Sequence, residues 1–332
     1  MRILYVGPIW LGSNALSMAN GMLEAGHDLT VIDTSPINRL KKYSKNWAIQ
    51  KVTRHRPISL VRQIDAMIEK EARSSKYDVL FCYKTIYLSQ ENLLALPIET
   101  KIHYSADDVS NPANISANYL RSESQWHRIV TTKRHNVREI SARGGTPFLV
   151  MSAYDPAWHY RQVAPLGETY KFGFVGNRRP DRVDLVRRLS ARFGPNMVVS
   201  GEGWTSDPKL NRSGAVVKAA AYGPQYSRMI ASIGVNLVLL NSENRDTHTC
   251  RSFEVPASGG LFLGPRTSEH QELLDDGREA LLYSSEDEFE YHIERLQRGG
   301  VDISKMALAG HRRITTSRNT YRDRATEILG LV

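Results

Sequence analysis

The chain has 332 residues, of which 41% are hydrophobic and 24% charged. This composition is typical of a globular protein and excludes a disordered or fibrous one. The length suits two α/β domains of about 150 residues each. The two cysteines, Cys82 and Cys250, match no disulfide framework and no zinc-site spacing, so we expect a reducing compartment.

The net charge of +9 is concentrated in the first half of the chain. Residues 1–165 contain 21 Lys and Arg against 14 Asp and Glu, whereas residues 166–332 contain 23 against 21. Residues 39–56 hold basic residues and no acid: Arg39, Lys41, Lys42, Lys45, Lys51, Arg54 and Arg56. Such a cluster either attracts an anionic membrane, an acidic acceptor or nucleic acid, or forms a solvated face.

The first half of the chain alternates predicted strands with helical or loop segments. Arg2–Gly7 is predicted to be a buried strand and not a signal peptide, because Gly7 and Pro8 interrupt its apolar run. A Gly/Ser loop, a helix and a second strand then complete a βαβ unit. The predicted elements are the helix Ala15–Glu24 and the strands Leu29–Asp33, Tyr77–Tyr83, Lys101–Ser105, Arg128–Thr132 and Pro147–Met151. This alternation predicts a mostly parallel sheet.

The same alternation restarts after Tyr154–Glu168, a stretch without periodicity. Strands are predicted at Lys171–Val175, Met197–Ser200, Val235–Leu240 and Leu261–Leu263, and helices at Arg182–Phe193, Pro224–Ser232, Phe253–Ala257 and Glu288–Arg298. We therefore expect an N-terminal domain over 1–160, a linker over 161–170, a second domain over 171–312 and a C-terminal helix over 313–332. No apolar stretch approaches the ~20 residues of a membrane-spanning helix.

Several motifs that would indicate other chemistries are incomplete. Gly7–Gly12 has the glycine spacing of a P-loop, but Ser13 and Asn14 stand where that motif requires Lys and Ser or Thr. No predicted strand is followed by G-x-G-x-x-G, and neither H-E-x-x-H nor G-x-S-x-G occurs. These gaps disfavour a P-loop NTPase, a nicotinamide enzyme, a zinc protease and a serine hydrolase. No DxD motif follows a strand, so we expect no metal.

The densest group of polar residues lies at 246–260, between two predicted strands. A helix that starts near Ser252 would direct free N–H groups to the carboxyl edge of the sheet, where α/β proteins bind phosphate. Arg251 can pair with a diphosphate, and Glu254 can accept two hydrogen bonds from ribose hydroxyls. The alternative is a helix whose Glu complements the macrodipole and whose Arg lies on the surface.

This segment resembles the CgeB-like family, which consists of spore-coat-protein glycosyltransferase-like proteins related to glycosyltransferase family 4. The family pattern R-[ST]-F-E-[IV]-P-A-x-G-G is matched by Arg251–Gly260, and the resemblance continues through the segments GPRTSEH and DGREA. Upstream it includes Gly173–Asn177 and Gly203–Trp204, so that it covers about residues 170–325. It implies an α/β GT-B fold, with two Rossmann-like domains facing across a cleft and a C-terminal helix that crosses back to the N-terminal domain.

The resemblance also implies a hexosyltransferase-like glycosyltransferase. The donor is expected to be a nucleotide-diphosphate sugar, a UDP-sugar by preference, with no further cofactor. Related retaining enzymes carry two acids eight residues apart, matched here by Asp246 and Glu254, with His248 close by. Asp246 is alternatively a loop residue that caps a turn. Retention of configuration is implied by this kinship alone.

The implied site residues fall into three groups. Catalytic roles are implied for Arg251, Asp246 and His248, and donor binding for Gly176, Asn177, Arg182 (or Arg178 and Arg179), Tyr222, Arg251, Ser252 and Glu254. The acceptor side is expected to include Gly12, Ser13, Asp107 and Asp108. Catalysis would be chiefly electrostatic, with fixed cations and N–H donors aimed at the leaving diphosphate.

Leu40, Tyr43 and Trp47 are spaced i, i+3 and i+7 among lysines. This spacing predicts either an interfacial helix on an anionic membrane or a stripe packed on the sheet. We expect a cytoplasmic protein, peripheral on the inner face of the membrane in the first case. Its acceptor would be a lipid-linked molecule or a cell-envelope glycan, and no motif predicts nucleic-acid binding. The alternative function is a non-catalytic GT-B relic that binds nucleotide or a partner protein.

Overall fold

A computed structural model describes residues 1–53, 56–163, 166–167 and 169–330. Arg54 of the basic cluster and residues 164, 165 and 168 of the expected linker lie outside the described residues. The chain divides into two compact units. The N-unit is Met1–Met151 with Tyr321–Val332, and the C-unit is Ser152–Thr320.

The N-unit is built on a six-stranded parallel sheet with the order β2-β1-β3-β4-β5-β6. Its elements are β1 (Arg2–Gly7), α1 (Asn14–Glu24), β2 (Asp28–Asp33), α2 (Ser35–Asn38), α3 (Lys45–Thr53), α4 (Ile58–Ser74), β3 (Val79–Tyr83), α5 (Gln90–Ala95), β4 (Thr100–Ser105), α6 (Ala117–Ser122), β5 (Arg128–Thr131), α7 (Arg134–Ala142) and β6 (Pro147–Leu149). The strand β1 is fully buried over residues 3–6, as its apolar run requires. Ile64 and Ile68 of α4 pack with Leu4 and Val6 in one core cluster.

The C-unit contains a second six-stranded parallel sheet, with the order β12-β11-β10-β7-β8-β9. Its elements are β7 (Tyr170–Val175), α8 (Val183–Phe193), β8 (Met197–Ser200), α9 (Pro208–Asn211), β9 (Val216–Lys218), α10 (Pro224–Ala231), β10 (Ile233–Leu237), α11 (Arg251–Ala257), β11 (Leu261–Pro265), α12 (Ser268–Leu273), β12 (Leu281–Tyr283), α13 (Glu286–Gln297) and α14 (Ile303–Thr316). Phe172 and Phe174 of β7 share a core cluster with Val186 and Leu189 of α8. The predicted alternating α/β architecture is confirmed.

The last helix, α15 (Tyr321–Leu329), belongs to the N-unit and packs against α1. Gly21 permits this contact, because a Cβ atom there would lie 2.5 Å from the carbonyl carbon of Tyr321. Arg324 adds a hydrogen bond from its Nε to the carbonyl oxygen of Met151 at 3.0 Å. The C-terminal helix thus crosses back to the N-terminal domain, as the resemblance implies.

The strand orders determine where ligands are expected in each unit. In the C-unit the order is that of a Rossmann sheet, whose direction of winding reverses between β7 and β10. In the N-unit the reversal lies between β1 and β3. Open α/β sheets bind ligands beyond the carboxyl ends of the strands at such a switch point.

The prediction of a helix that carries Leu40, Tyr43 and Trp47 on one face is wrong. The helix α3 begins only at Lys45, and Tyr43 has a φ of 65°, which is left-handed backbone. The three side chains therefore do not form one helical stripe. The exposed residues Tyr43 (76%) and Val52 (85%) nevertheless leave apolar surface among the lysines.

Candidate functional site

The switch point of the C-unit is formed by two loops. The first follows β7 and ends in a 3₁₀ turn at Pro180–Arg182, and the second joins β10 to α11. Because β7 and β10 are paired neighbours, their carboxyl ends bring both loops to the same edge of the sheet. Arg182 ends the first loop and Arg251 begins the helix after the second.

Arg251 lies directly over the backbone of the first loop. A Cβ atom placed on Gly176 would lie 3.5 Å from the guanidinium carbon of Arg251 and 3.0 Å from the ring of Phe174. Among the described residues, no acceptor lies within hydrogen-bonding distance of the buried Nε of Arg251. Glycine at 176 therefore keeps space open beside a guanidinium with unused donor capacity.

Arg182 is a buried arginine, with only 3% of its surface exposed. Its Nη1 donates to the carbonyl oxygen of Asn177 at 3.4 Å and its Nη2 to that of Leu240 at 3.2 Å, while Asp181 lies 3.7 Å from its Nε. Burial, followed by the charge of Arg251, lowers the pKa of Arg182 to about 10. Two neighbouring guanidinium groups that repel each other in this way form a site that an anion would stabilise.

A cavity of about 250 Å³ opens beside Arg182. Its wall includes Asp181, Asp246, Arg245 and Tyr283, which come from the ends of several strands. Asp246 also closes its own loop, since its Oδ2 accepts from the backbone N–H of Asn241 at 3.3 Å. The carboxylate of Asp246 thus has a structural contact and borders the cavity.

Glu254 is largely buried in the first turn of α11, three residues after Arg251. The Nε2 of His159 lies 3.8 Å from its Oε1, and the rings of His159 and Tyr226 contact each other edge to face at 5.2 Å. Burial and then the charge of Glu254 raise the pKa of Tyr226 well above its ordinary value. The sequence reasoning missed His159 and Tyr226. His159 falls in the aperiodic stretch, and Tyr226 follows a predicted helix start without any motif.

The expectation of free N–H groups at the start of α11 is wrong. The N–H of Arg251 donates to the hydroxyl of Thr249 at 3.2 Å, and that of Ser252 to the carbonyl oxygen of Thr249 at 3.0 Å. The next two N–H groups, of Phe253 and Glu254, both donate to the carbonyl oxygen of Cys250 at 2.9 Å. The first turn thus satisfies its own donors, and the side chain of Arg251 supplies the positive charge.

Ser252 and His248 are buried and bonded within the unit. The hydroxyl of Ser252 lies 2.8 Å from Nε2 of His270, whose Nδ1 lies 2.6 Å from the carbonyl oxygen of Pro265. The Nε2 of His248 accepts from the backbone N–H of Ser152 at 3.1 Å. These contacts fix the loop before α11.

Of the remaining donor-side residues, Gly176 and Asn177 lie in the loop after β7, and Tyr222 lies between β9 and α10. The Oδ1 of Asn177 accepts from the N–H of Glu202 at 3.2 Å, and the hydroxyl of Tyr222 donates to the carboxylate of Glu202 at 2.9 Å. The N–H of Gly176 donates to the carbonyl oxygen of Ser200 at 2.8 Å.

Arg178 and Arg179, the alternatives to Arg182, both have acidic partners. The Nε of Arg178 lies 3.0 Å from Asp207, and Arg179 pairs with Glu243. Asp207 also binds Arg187, so these ion pairs hold the pKa of Asp207 at about 2 despite its burial. Arg182, in contrast, is buried and donates to backbone carbonyl oxygens.

The four acceptor-side residues lie in the N-unit. Gly12 has a φ of 90° in the loop after β1, and Ser13 caps α1 by accepting from the N–H of Leu16 at 3.1 Å. Asp107 forms an ion pair with Nζ of Lys84.

Asp108 is buried and serves as an acceptor within the N-unit. Its Oδ1 receives the N–H of Ser110 and the amide of Asn136, both at 2.9 Å. Ser13, Asp107 and Asp108 thus have structural contacts within the N-unit, and Gly12 lies in the loop after β1.

Comparison with known proteins adds to this geometry. Residues 178–330 match the model of a family described as glycosyl transferase-like. The chain and the structure of Anabaena HepE in complex with UDP-glucose cover each other fully, with a TM-score of 0.64 and 12% identity. Sucrose-phosphate synthase from Thermosynechococcus elongatus gives a TM-score of 0.71 at 11% identity, over 99% of this chain and 98% of that one.

The chain has the GT-B fold. A third GT-B structure, a mutant of S. aureus TarM in complex with fondaparinux, α-GlcNAc-glycerol and UDP, gives a TM-score of 0.58 at 12% identity, over 82% of this chain and 58% of that one. A comparison with curated proteins gave no significant match. None of the described helices has the length and apolar character needed to span a bilayer. Within the described ranges, no cluster of three or more His, Cys, Asp and Glu is arranged to hold a metal ion.

Proposed function

We propose that this GT-B protein is a glycosyltransferase that transfers a sugar from a nucleotide-diphosphate donor. The observation that carries the proposal is the pair of neighbouring guanidinium groups, Arg182 and Arg251, at the switch point of the C-unit. The match of residues 178–330 to a glycosyl transferase-like family and the UDP-glucose bound by HepE support it.

The reaction gives the two arginines a defined task. Glycosyl transfer develops positive charge on the sugar, while negative charge collects on the departing diphosphate. Cations that are already fixed and partly shielded from water stabilise that charge without reorganising during the reaction. Arg182 is held by two carbonyl oxygens, and Arg251 lies over Gly176 with a buried Nε that has no hydrogen-bond partner among the described residues.

The other residues are assigned from their surroundings. We assign Glu254 to the ribose hydroxyls, as the resemblance of the Arg251–Gly260 segment implies. Its carboxylate is largely buried, with Nε2 of His159 3.8 Å from its Oε1. Tyr222 borders the base, Asn177 belongs to the loop beside the leaving diphosphate, and Asp246 faces the sugar from the cavity wall. Ser252 and His248 act as positioning residues for the loop that carries Arg251, because their side chains bond to neighbours within the C-unit.

The finer features of the proposal are a UDP-sugar donor, a hexose as the transferred sugar, retention of configuration and membership of the CgeB-like group. The UDP-glucose in HepE supports the first, and the R-S-F-E-V-P-A-S-G-G segment supports the last. We also propose that the reaction needs no divalent metal, because the two guanidinium groups would supply the positive charge that a metal ion provides to a diphosphate. Activity should therefore survive EDTA, and a complete loss that Mg²⁺ or Mn²⁺ reverses would contradict this part.

The acceptor is proposed to be a glycan or a lipid-linked molecule. TarM in complex with fondaparinux and α-GlcNAc-glycerol is the GT-B structure that supports a glycan. Contact with an anionic membrane rests on the exposed lysines around Tyr43 and not on a helical stripe. Phosphatidylglycerol vesicles should retain the protein at low salt and release a Lys41/Lys42/Lys45→Glu variant. Wild-type protein that stays in the supernatant would remove the membrane from the proposal.

The test of the main proposal is a screen of nucleotide sugars for release of nucleoside diphosphate, with Glu254→Ala as the blank. We expect release from a UDP-sugar by the wild type and strongly reduced release by the variant. Binding of donors without release or transfer, across the full screen and with candidate acceptors added, would instead favour the non-catalytic alternative.

A further inference from the structure

The N-unit has its own group of cationic side chains at the switch point between β1 and β3. Three loops are tied together there by hydrogen bonds. The Oδ1 of Asp33, at the end of β2, accepts from the N–H of Ile9 at 2.9 Å and from that of Ser35 at 2.7 Å. The hydroxyl of Tyr87, in the loop after β3, donates to Thr34 at 2.9 Å. The loops after β1, β2 and β3 therefore form one connected edge.

Two arginines lie over aromatic rings along this edge. The guanidinium carbon of Arg39 is 4.1 Å from the ring centroid of Trp10, and that of Arg56 is 5.6 Å from the ring centroid of Tyr87. Arg56 is further fixed by a hydrogen bond from Nη1 to the carbonyl oxygen of Ile37 at 3.2 Å. A stacked guanidinium keeps its charge and presents its N–H donors in the plane of the group, where carboxylate and phosphate oxygens bind.

A third cation, Lys84, follows β3 with strained backbone. Its φ is 54°, in the left-handed region that costs a residue with a Cβ about 1 kcal/mol. Its N–H donates to the carbonyl oxygen of Tyr104 at 3.0 Å, and its Nζ pairs with Asp107. Strain of this kind concentrates at functional sites, where the surrounding structure maintains it.

The charge balance of this edge is positive. Its three cations, Arg39, Arg56 and Lys84, are joined by the lysines at 41 and 42, which follow directly in sequence. Acids also contact this edge: Asp33 receives two backbone N–H groups, Asp65 receives the N–H of Ser89, and Asp107 pairs with Lys84. An anion is the ligand that complements such an edge.

We infer that this edge of the N-unit binds an anionic group of the acceptor, a carboxylate or a phosphate carried by a sugar. Arg39 and Arg56 contact the anionic oxygens, and Trp10 and Tyr87 fix the orientation of the two guanidinium groups. Lys84 and its partner Asp107 hold the neighbouring loops together. The inference deepens the proposed function, and the identification of the ligand as the acceptor rests on that function. The binding of an acidic sugar can be measured independently of it.

The test is calorimetric titration with three probes: a galacturonic acid trisaccharide, glucose 6-phosphate and the neutral maltotriose. We expect one or both acidic probes to bind the wild type and maltotriose not to bind. The two acidic probes distinguish a carboxylate from a phosphate. Arg39→Ala should weaken the binding of the acidic probe by ~10-fold or more, because a charge-assisted hydrogen bond is lost. Arg39→Lys should restore it only in part, since Lys lacks the planar fork.

Arg73→Ala is the matched control. Arg73 is exposed in the last turn of α4, where it pairs with Glu69, and this variant should bind the probes as the wild type does. Equal affinity for neutral and acidic sugars, or an acidic probe that binds Arg39→Ala as tightly as the wild type, would overturn the inference. UDP titrated into the same samples separates the two proposals, because UDP should bind Arg39→Ala normally. If the protein binds the acidic sugar but not UDP, the proposed donor site is contradicted and the inference about the N-unit is not.

Discussion

Both units bring cations to the carboxyl edge of a parallel sheet at its switch point, but they hold them in different environments. In the C-unit, Arg182 is 3% exposed and fixed by carbonyl oxygens, and the neighbouring Arg251 helps to lower its pKa. In the N-unit, Arg39 is exposed and lies over Trp10. Charges shielded from water interact strongly, whereas exposed charges are screened by solvent and salt. We therefore propose that the diphosphate binds at the first edge and the acceptor at the second.

The largest effect is expected at Arg251. If its guanidinium stabilises the leaving diphosphate, Arg251→Ala should lower kcat by ~10²-fold or more, and Arg251→Lys should recover only part of the loss. Steady-state kinetics measure both. Arg178→Ala is the control, because Asp207 keeps Arg187 as a partner, and its kcat should stay close to that of the wild type. A folded Arg251→Ala enzyme with full kcat would remove the arginine from the reaction.

The next effect concerns Glu254, which we assign to the ribose. Glu254→Ala should weaken the binding of the nucleotide sugar by ~1–3 kcal/mol, the cost of losing a charged hydrogen-bond acceptor. Calorimetry on the folded variant measures this change in binding free energy. Glu294→Ala, which removes an exposed carboxylate from α13, is the matched control. Equal donor affinity in both variants would place the ribose elsewhere.

A smaller effect is expected on stability, because a buried histidine has different surroundings in each unit. His103 of the N-unit has no hydrogen-bond partner on either ring nitrogen among the described residues, and burial lowers its pKa from 6.5 to about 3. In the C-unit, His270 contacts Ser252 and the carbonyl oxygen of Pro265, although burial also lowers its pKa. The folded N-unit therefore keeps His103 neutral, while the unfolded chain takes up a proton as the pH falls below 6.5.

The contribution of neutral His103 to the free energy of unfolding is thus fully present above pH 6.5 and is lost as the pH falls toward 3. The contribution to the free energy of unfolding should fall by about 2 kcal/mol between pH 7 and pH 5. Urea unfolding at both pH values measures the loss, and His103→Phe should reduce it. An unchanged pH dependence in that variant, with His127→Gln as the exposed control, would show that other groups cause it.

The sequence predicted the architecture better than the site. The strands β1, β3 and β10 were predictable because buried strands of parallel sheets are continuous apolar runs. The helix α4 was missed although Ile64, Ile68 and Ala72 recur at the i, i+4 spacing of a buried helical face.

The site was predictable where a motif fixed it and not where distant segments meet. The sequence pointed to Arg251 and Glu254 through one short segment, and the structure adds that the N–H groups of α11 are already bonded. It could not separate Arg182 from Arg178, since only folding brings Asp207 to Arg178. The contact between Glu254 and His159 likewise joins residues 95 positions apart, which no periodicity reports.

Calorimetric titration of UDP into the wild type, Arg251→Ala and Arg39→Ala tests where the nucleotide diphosphate binds. We propose that it binds at the edge of the C-unit, beside Arg182 and Arg251. We expect equal affinity for UDP in the wild type and Arg39→Ala, and binding weaker by ~10-fold or more in Arg251→Ala. Loss of UDP binding in Arg39→Ala, with wild-type affinity in Arg251→Ala, would contradict it.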